Sequence, residues 1–217
     1  MLRLLLAACL IACAAKPEPE QPAAPPDPAM ARPQTPPAAP DYPTEDMAVS
    51  AADGISLAGT LSLPGTAGPY PAVLLLTDSG PHDRNGAIAA HRPQAVWADH
   101  FARNGIATLR LDDRGVGQSA GSLAQADLNL LVADALAATT VLATHAAIDG
   151  KRVFLLGHGE GGVVATHAAQ GRDDLAGLVL LNTPGTTGRR VLLDQAEALL
   201  IASGAPADRA FTHRSAH

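Results

Sequence analysis

Gly157-His158-Gly159-Glu160-Gly161-Gly162 follows the apolar run Val153-Phe154-Leu155-Leu156. A glycine-rich turn between a strand and a helix can serve two chemistries. In one, Gly157, Gly159 and Gly162 satisfy G-x-G-x-x-G, whose glycines let a pyrophosphate approach a helix N-terminus. That pattern calls for an acidic residue about 20 positions on, ending the next strand, to hold a ribose. Here the next apolar run ends in Leu181-Asn182-Thr183-Pro184, and several elements precede a motif that should open its domain. In the other chemistry, Gly157 to Gly161 is the nucleophile elbow G-x-S-x-G with Gly159 in the serine's place.

The elements that must position this turn are legible in the apolar pattern. Met47 to Ser50 and Ile55 to Leu63 alternate at period two around Ala52-Asp53-Gly54, which predicts an antiparallel hairpin. Ala72 to Thr77 is a buried strand, Pro93 to Asn104 has helical spacing ending at Gly105, and Ile106 to Leu111 is a second buried strand. A helix is expected over 126–145, with Leu128, Leu131, Ala135, Ala138 and Leu142 on one face. Then come a strand over 153–156, a helix over 161–169, a strand over 175–181 and a helix over 189–201. This alternation predicts an α/β domain: a mostly parallel sheet with helices on both faces, led by an N-terminal antiparallel hairpin. Function is then expected at the carboxyl ends of the strands.

Four stretches carry a family likeness. They are Leu57-Ala58-Gly59-Thr60-Leu61 with Pro64; Asp78-Ser79-Gly80-Pro81-His82-Asp83-Arg84; Leu111-Asp112-Asp113-Arg114-Gly115-Val116-Gly117-Gln118-Ser119; and Gly157 to Gly161 after Asp149-Gly150-Lys151-Arg152. From about Asp53 to Gly185 the chain resembles the α/β-hydrolase fold, specifically bacterial esterases and dienelactone-hydrolase-like serine hydrolases. The resemblance implies acyl transfer to water, a small-molecule ester or acyl ligand, and no cofactor. It also implies an oxyanion hole built from the backbone N–H of Glu160 and one near Ser79.

Two departures bear on that chemistry. Gly159 has no side chain to acylate, so by the family mechanism no acyl-enzyme forms, although glycine suits the elbow's backbone. The family usually has glycine where this chain has Asp78, and a carboxylate there raises the energy of a developing oxyanion unless it points away. The family's acid and histidine should follow on loops after two later strands. Neither strand is found after Leu181, and Asp208 and His213 are too close together to occupy successive strand-end loops. His213 and His217 read as solvated tail residues. The expectation is a domain truncated on its C-terminal side, with a strand edge left unpaired.

The remaining candidates have structural readings. His158 resembles an elbow histidine that packs and hydrogen-bonds rather than reacts. Asp112, Asp113 and Arg114 are expected to fix their turn rather than hold an ion. Ser79 and Ser119 lie on loops facing the pocket and could in principle be surrogate nucleophiles, yet neither has a neighbouring histidine that the sequence identifies as its base. His82 and His91 lack metal-ligand spacing.

Of 217 residues, 47% are hydrophobic and 17% charged, with a net charge of -6. No Lys/Arg run is present to neutralise phosphates, which argues against a nucleic-acid partner. Cys9 and Cys13 are the only cysteines, so the folded part contains neither a disulfide nor a cysteine metal site. The apolar run from Leu4 to Ala15 has a signal peptide's layout and is too short to span a bilayer. Leu10-Ile11-Ala12-Cys13 resembles a lipobox, making Cys13 the expected lipid attachment and residues 1–15 a lipoprotein-type signal. Residues 16–44, rich in Pro and Ala, are expected to be a disordered linker, and 45–217 the partial α/β-hydrolase domain. Taken together, these features predict an exported, envelope-anchored, esterase-like protein impaired by Gly159. The alternatives are a pseudo-hydrolase lipoprotein binding an acyl or carboxylate ligand, and a truncated non-functional product.

Overall fold

The computed structural model describes residues 35–37 and 39–204. The signal segment with Cys13, most of the linker, and the tail with Asp208, His213 and His217 lie outside the described residues. So do the expectations placed on them.

The hairpin forms β1 (Thr44–Ser50) and β2 (Ser56–Ser62), paired antiparallel from Thr44↔Ser62 to Ser50↔Ser56. There follow β3 (Tyr70–Leu76), α1 (Pro93–Arg103), β4 (Ala107–Leu111), α2 (Leu128–Thr144), β5 (Ile148–His158), α3 (Glu160–Ala168), β6 (Gly177–Leu181) and α4 (Gly188–Ala202). The six strands form one sheet in the order β1-β2-β4-β3-β5-β6. β2 and β4 run antiparallel, whereas β3–β4, β3–β5 and β5–β6 are parallel.

Period-two alternation along β3 separates the two faces of the sheet. Ala72 and Leu74 pack with Ala135, Ala138 and Leu142 of α2 and Ala165 of α3. Val73 and Leu75 point the other way, with Leu156 of β5, against Trp97 and Phe101 of α1. β3 therefore reads as a continuous apolar run because it is covered on both sides. Local signals set the helix ends. Pro93 occupies the first turn of α1, and the Asp127 carboxylate caps α2 by accepting from Leu130 N–H at 2.9 Å.

Several boundaries differ from the sequence expectation, among them those of β5, β6 and β1. β5 starts at Ile148 rather than Val153, because the polar stretch Asp149 to Arg152 continues the strand across a register shift between Tyr70 and Ala72. β6 starts at Gly177, two residues late. β1 starts at Thr44, where the exposed Glu45 and Asp46 hide its alternation. Immediately upstream, the Pro43 carbonyl accepts from Leu63 N–H at 2.9 Å and Asp41 pairs with Arg103 at 2.9 Å. Contacts with the domain thus begin before residue 45. Among the described residues β6 ends the sheet, with Leu180 46% exposed, and α4 has no buried residue.

Candidate active site at the ends of β3 and β5

The turn between β5 and α3 is sharp. Gly159 sits at φ 54° and ψ -117°, in a region that side chains rarely tolerate. Its N–H donates to the Leu181 carbonyl at the end of β6, at 2.9 Å, and its carbonyl accepts from Gly162 N–H at 3.1 Å. Close packing holds the turn from both sides. A Cβ on Gly157 would collide with the Gly161 backbone, and one on Gly161 with the carbonyls of Leu76 and Thr77.

Asp78 enters this turn from the end of β3. Its Oδ1 accepts from Ser79 N–H at 2.7 Å and from Glu160 N–H at 3.1 Å. Its Oδ2 lies 3.3 Å from His158 Nδ1. The two N–H groups that the family resemblance assigned to an oxyanion hole thus converge on one oxygen, and that oxygen belongs to the protein. The carboxylate points in, not away. An ideal Cβ on Gly159 would collide with Asp78 Oδ1 and Cγ, so the space of an elbow side chain is filled from the neighbouring strand end. Burial works to raise the Asp78 carboxyl. The Ser79 and Glu160 N–H groups and His158 outweigh it, holding the carboxyl below its ordinary value. The N-terminal end of α3 favours the same ionised form.

His158 packs near Trp97, with ring centroids 6.2 Å apart, and its side chain and that of Asp78 are 37% and 38% exposed. Both can be reached from outside. A cavity of about 80 Å³ opens at Asp78, lined both by apolar side chains such as Leu76, Leu131 and Val164 and by the charged Asp112, Arg114 and Glu160.

The loop after β4 is a scaffold. Arg84 forks onto Asp112, with Nη2 2.6 Å from Oδ2 and Nε 3.1 Å from Oδ1, and its Nη1 also donates to the Gly59 carbonyl at 2.8 Å. Burial raises the Asp112 carboxyl, and Arg84 with the Gln118 and Arg84 N–H groups more than reverses this, leaving it low. Asp113 accepts from Thr77 Oγ1 and His82 N–H, both at 2.8 Å, yet burial dominates and its carboxyl is raised. Arg114 is buried between Asp134 and Asp53, whose hydrogen bonds hold its guanidinium above the usual range. No group of acidic, His or Cys side chains among the described residues is arranged to hold a metal.

Ser119 does not face the pocket as a free hydroxyl. It is buried, donates to the Asp112 carbonyl at 2.7 Å and accepts from Ala58 N–H at 2.9 Å. Ser79 is exposed, and the neighbouring His82 Nε2 meets its carbonyl oxygen at 3.1 Å, not its hydroxyl. Arg84 lies within the family-like stretch, but only its fork onto Asp112 discloses its role. Its signal was a cation at the end of the loop whose other end carries Asp78.

The sequence model of the family described as Hydrolase_4, serine aminopeptidase S33, matches residues 89–204. The chain is 29% identical over 143 residues to esterase EstD of Thermotoga maritima, covering 66% of this chain and 34% of the relative. It therefore spans about a third of that relative's length. Among solved structures it is similar to the α/β-hydrolase GrgF from Penicillium sp. sh18, with TM-score 0.57, 24% identity, and coverage of 74% of this chain and 53% of that one. It is also similar to the Pyrococcus furiosus esterase Pf2001, with TM-score 0.57, 18% identity, and coverage of 80% and 60%. These likenesses establish the fold.

Proposed function

Because the chain belongs to the serine aminopeptidase S33 family of α/β-hydrolases, we propose that it is an exported, esterase-type member in which the acyl-serine route is closed. The similarity to esterase EstD supports the ester class. One observation carries the closure: Asp78 Oδ1 fills the elbow over Gly159 and takes the N–H groups of Ser79 and Glu160. An ester carbonyl entering the turn finds no hydroxyl at residue 159 to attack it. Its developing oxyanion also meets a resident anion where donors should be free.

Export rests on the signal layout of residues 1–15 and lipid anchoring on Cys13. A second reading, a lipoprotein that binds a carboxylate or acyl ligand without turnover, is favoured by the same donors. They already hold a carboxylate, so an external one could compete for them once Asp78 swings out.

The test is release of p-nitrophenol from p-nitrophenyl acetate and butyrate by the full-length chain. The expected rate equals that of buffer. Sustained release above buffer from the purified wild-type chain would overturn the closure.

A further inference from the structure

The sheet face beneath α1 buries a cation, Arg110, that no carboxylate among the described residues pairs. We propose that Arg110, with the hydroxyls of Ser62 and Thr108, binds a small monovalent anion of halide or formate size. The site lies apart from the elbow, and the inference goes beyond the function proposed above.

Strand register brings the three side chains together. Thr108 of β4 stands opposite Ser62 of β2 and beside Val73 of β3, while Arg110 stands opposite Thr60 and beside Leu75. Val73 and Leu75 face α1, so their paired neighbours in the sheet do as well. Directly opposed residues of antiparallel strands have Cβ atoms about 4.5–5.5 Å apart, which sets the Ser62 and Thr108 hydroxyls side by side. Arg110 follows two residues along the same face.

Ser62 and Thr108 are 0% exposed and Arg110 is 7% exposed. Ser62 Oγ, Thr108 Oγ1 and Arg110 Nε have no hydrogen-bond partner among the described residues. The one bond of the guanidinium there runs from Nη1 to Asn85 Oδ1, a neutral acceptor, at 2.7 Å. Thr60 is already taken by Arg84 Nη1, at 3.1 Å. α1 packs over this face and buries Ala95, Ala98 and Ala102, whose side chains offer no acceptor. A buried cation held by a single neutral amide is unfavourable, because buried charges are ordinarily paired.

The neighbouring charges leave the imbalance in place. Burial works against the charged form of Arg110, and the Arg84 cation adds to it, holding the guanidinium below its usual value. Arg84 is itself matched by Asp112, at 2.6 Å. The Tyr42 phenol is pushed up to about 12 by burial and by Asp99, so at neutral pH it supplies no negative charge. Asp83 is turned to its own loop, where Oδ1 accepts from the Asn85 and Ala87 N–H groups at 3.1 and 2.9 Å. Two further unpartnered buried atoms, Gln94 Oε1 and Asp99 Oδ1, are acceptors on α1, and the Asp99 carboxylate is engaged by Arg103 at 3.0 Å. The sheet therefore offers one charged N–H and two O–H donors around a net positive charge. Water would leave that charge uncompensated, and Arg110 repels a cation. One uncompensated charge in a buried setting calls for a small monovalent anion.

The experiment follows thermal unfolding of the full-length chain in sodium gluconate, as chloride, bromide or formate replaces gluconate at constant ionic strength. The expected result is a saturable rise in Tm of about 2 °C or more with at least one of the three ions. Saturation separates binding from stabilisation by solute exclusion, which does not saturate. Thr108→Val keeps the cation and removes one donor, so half-saturation should move up about 3–10-fold. Arg110→Met, folded by circular dichroism, should show no saturable rise. In wild-type crystals the responding ion should lie within hydrogen-bond reach of Arg110 Nε, bromide being located by its anomalous scattering. A response to bromide assigns a halide site, and a response to formate alone assigns a carboxylate site. The proposal is overturned if none of the three ions gives a saturable rise, if Arg110→Met retains the rise, or if water occupies the position in crystals soaked with the responding ion.

Discussion

Asp78 Oδ1 stands within collision distance of the place where a Cβ of residue 159 would be. A glycine in the elbow and a carboxylate at the end of β3 are therefore one arrangement, since neither a serine at 159 with Asp78 in place nor an empty turn fits the observed packing. Its consequence for stability is coupling. Gly159→Ser alone should destabilise by about 1–3 kcal/mol, through the collision and the positive φ. Asp78→Ala combined with Gly159→Ser should recover part of this, leaving a non-additivity of about 0.5–3 kcal/mol in a double-mutant cycle measured by urea unfolding. Additive single-variant effects would show that the two residues do not share the space.

Ser119 should be structural. Its hydroxyl bridges Ala58 N–H and the Asp112 carbonyl in a buried setting. Ser119→Ala strands that N–H, so a loss of about 1–3 kcal/mol is expected in the same unfolding assay. No change in stability would place the hydroxyl elsewhere.

The acid limb of stability should carry the signature of Asp112 and Asp78. Both carboxyls are depressed in the folded chain, so the unfolded chain binds more protons at low pH. Their contribution is complete above the ordinary carboxylate value of about 3.9 and is lost as pH falls toward and through the depressed folded values. Asp113 has the opposite sign. Its raised carboxyl favours the folded state at low pH and costs stability as pH rises through the folded value. Unfolding curves across this window should show Asp112→Asn with a flatter acid limb than wild type. An unchanged slope would remove Asp112 from the account.

Lipid anchoring through Cys13 predicts a change of fraction. Expressed with its own N-terminus in a bacterial host, the wild-type chain should sediment with membranes and incorporate labelled palmitate. Cys13→Ser should do neither. Equal partition of the two would argue for an ordinary secretory signal or none.

Much of this was legible in the residues, and the limits have physical causes. Period-two and helical spacing located the hairpin, the parallel strands and the helices, because each buried face repeats with the geometry of its element. The start of β5 was hidden because Asp149, Lys151 and Arg152 extend the strand with polar, outward side chains. Gly159 and Asp78 were both visible as departures from the family pattern. What the sequence could not show was the side-chain rotamer: whether the Asp78 carboxylate turned toward solvent or toward Ser79 and Glu160. That depends on a tertiary approach between residues 82 positions apart. Loop position alone puts Ser119 at the pocket, because it does not disclose the hydroxyl's backbone partners at Ala58 and Asp112.

The central claim is that one oxygen of Asp78 receives the N–H groups of Ser79 and Glu160. It is tested most directly by following those two amides in ¹H–¹⁵N correlation spectra through an acid titration. The account predicts that both shift together with a single midpoint below about 3.9, and that Asp78→Ala abolishes both transitions while the fold persists. Two amides with different midpoints, or transitions surviving in Asp78→Ala, would contradict it.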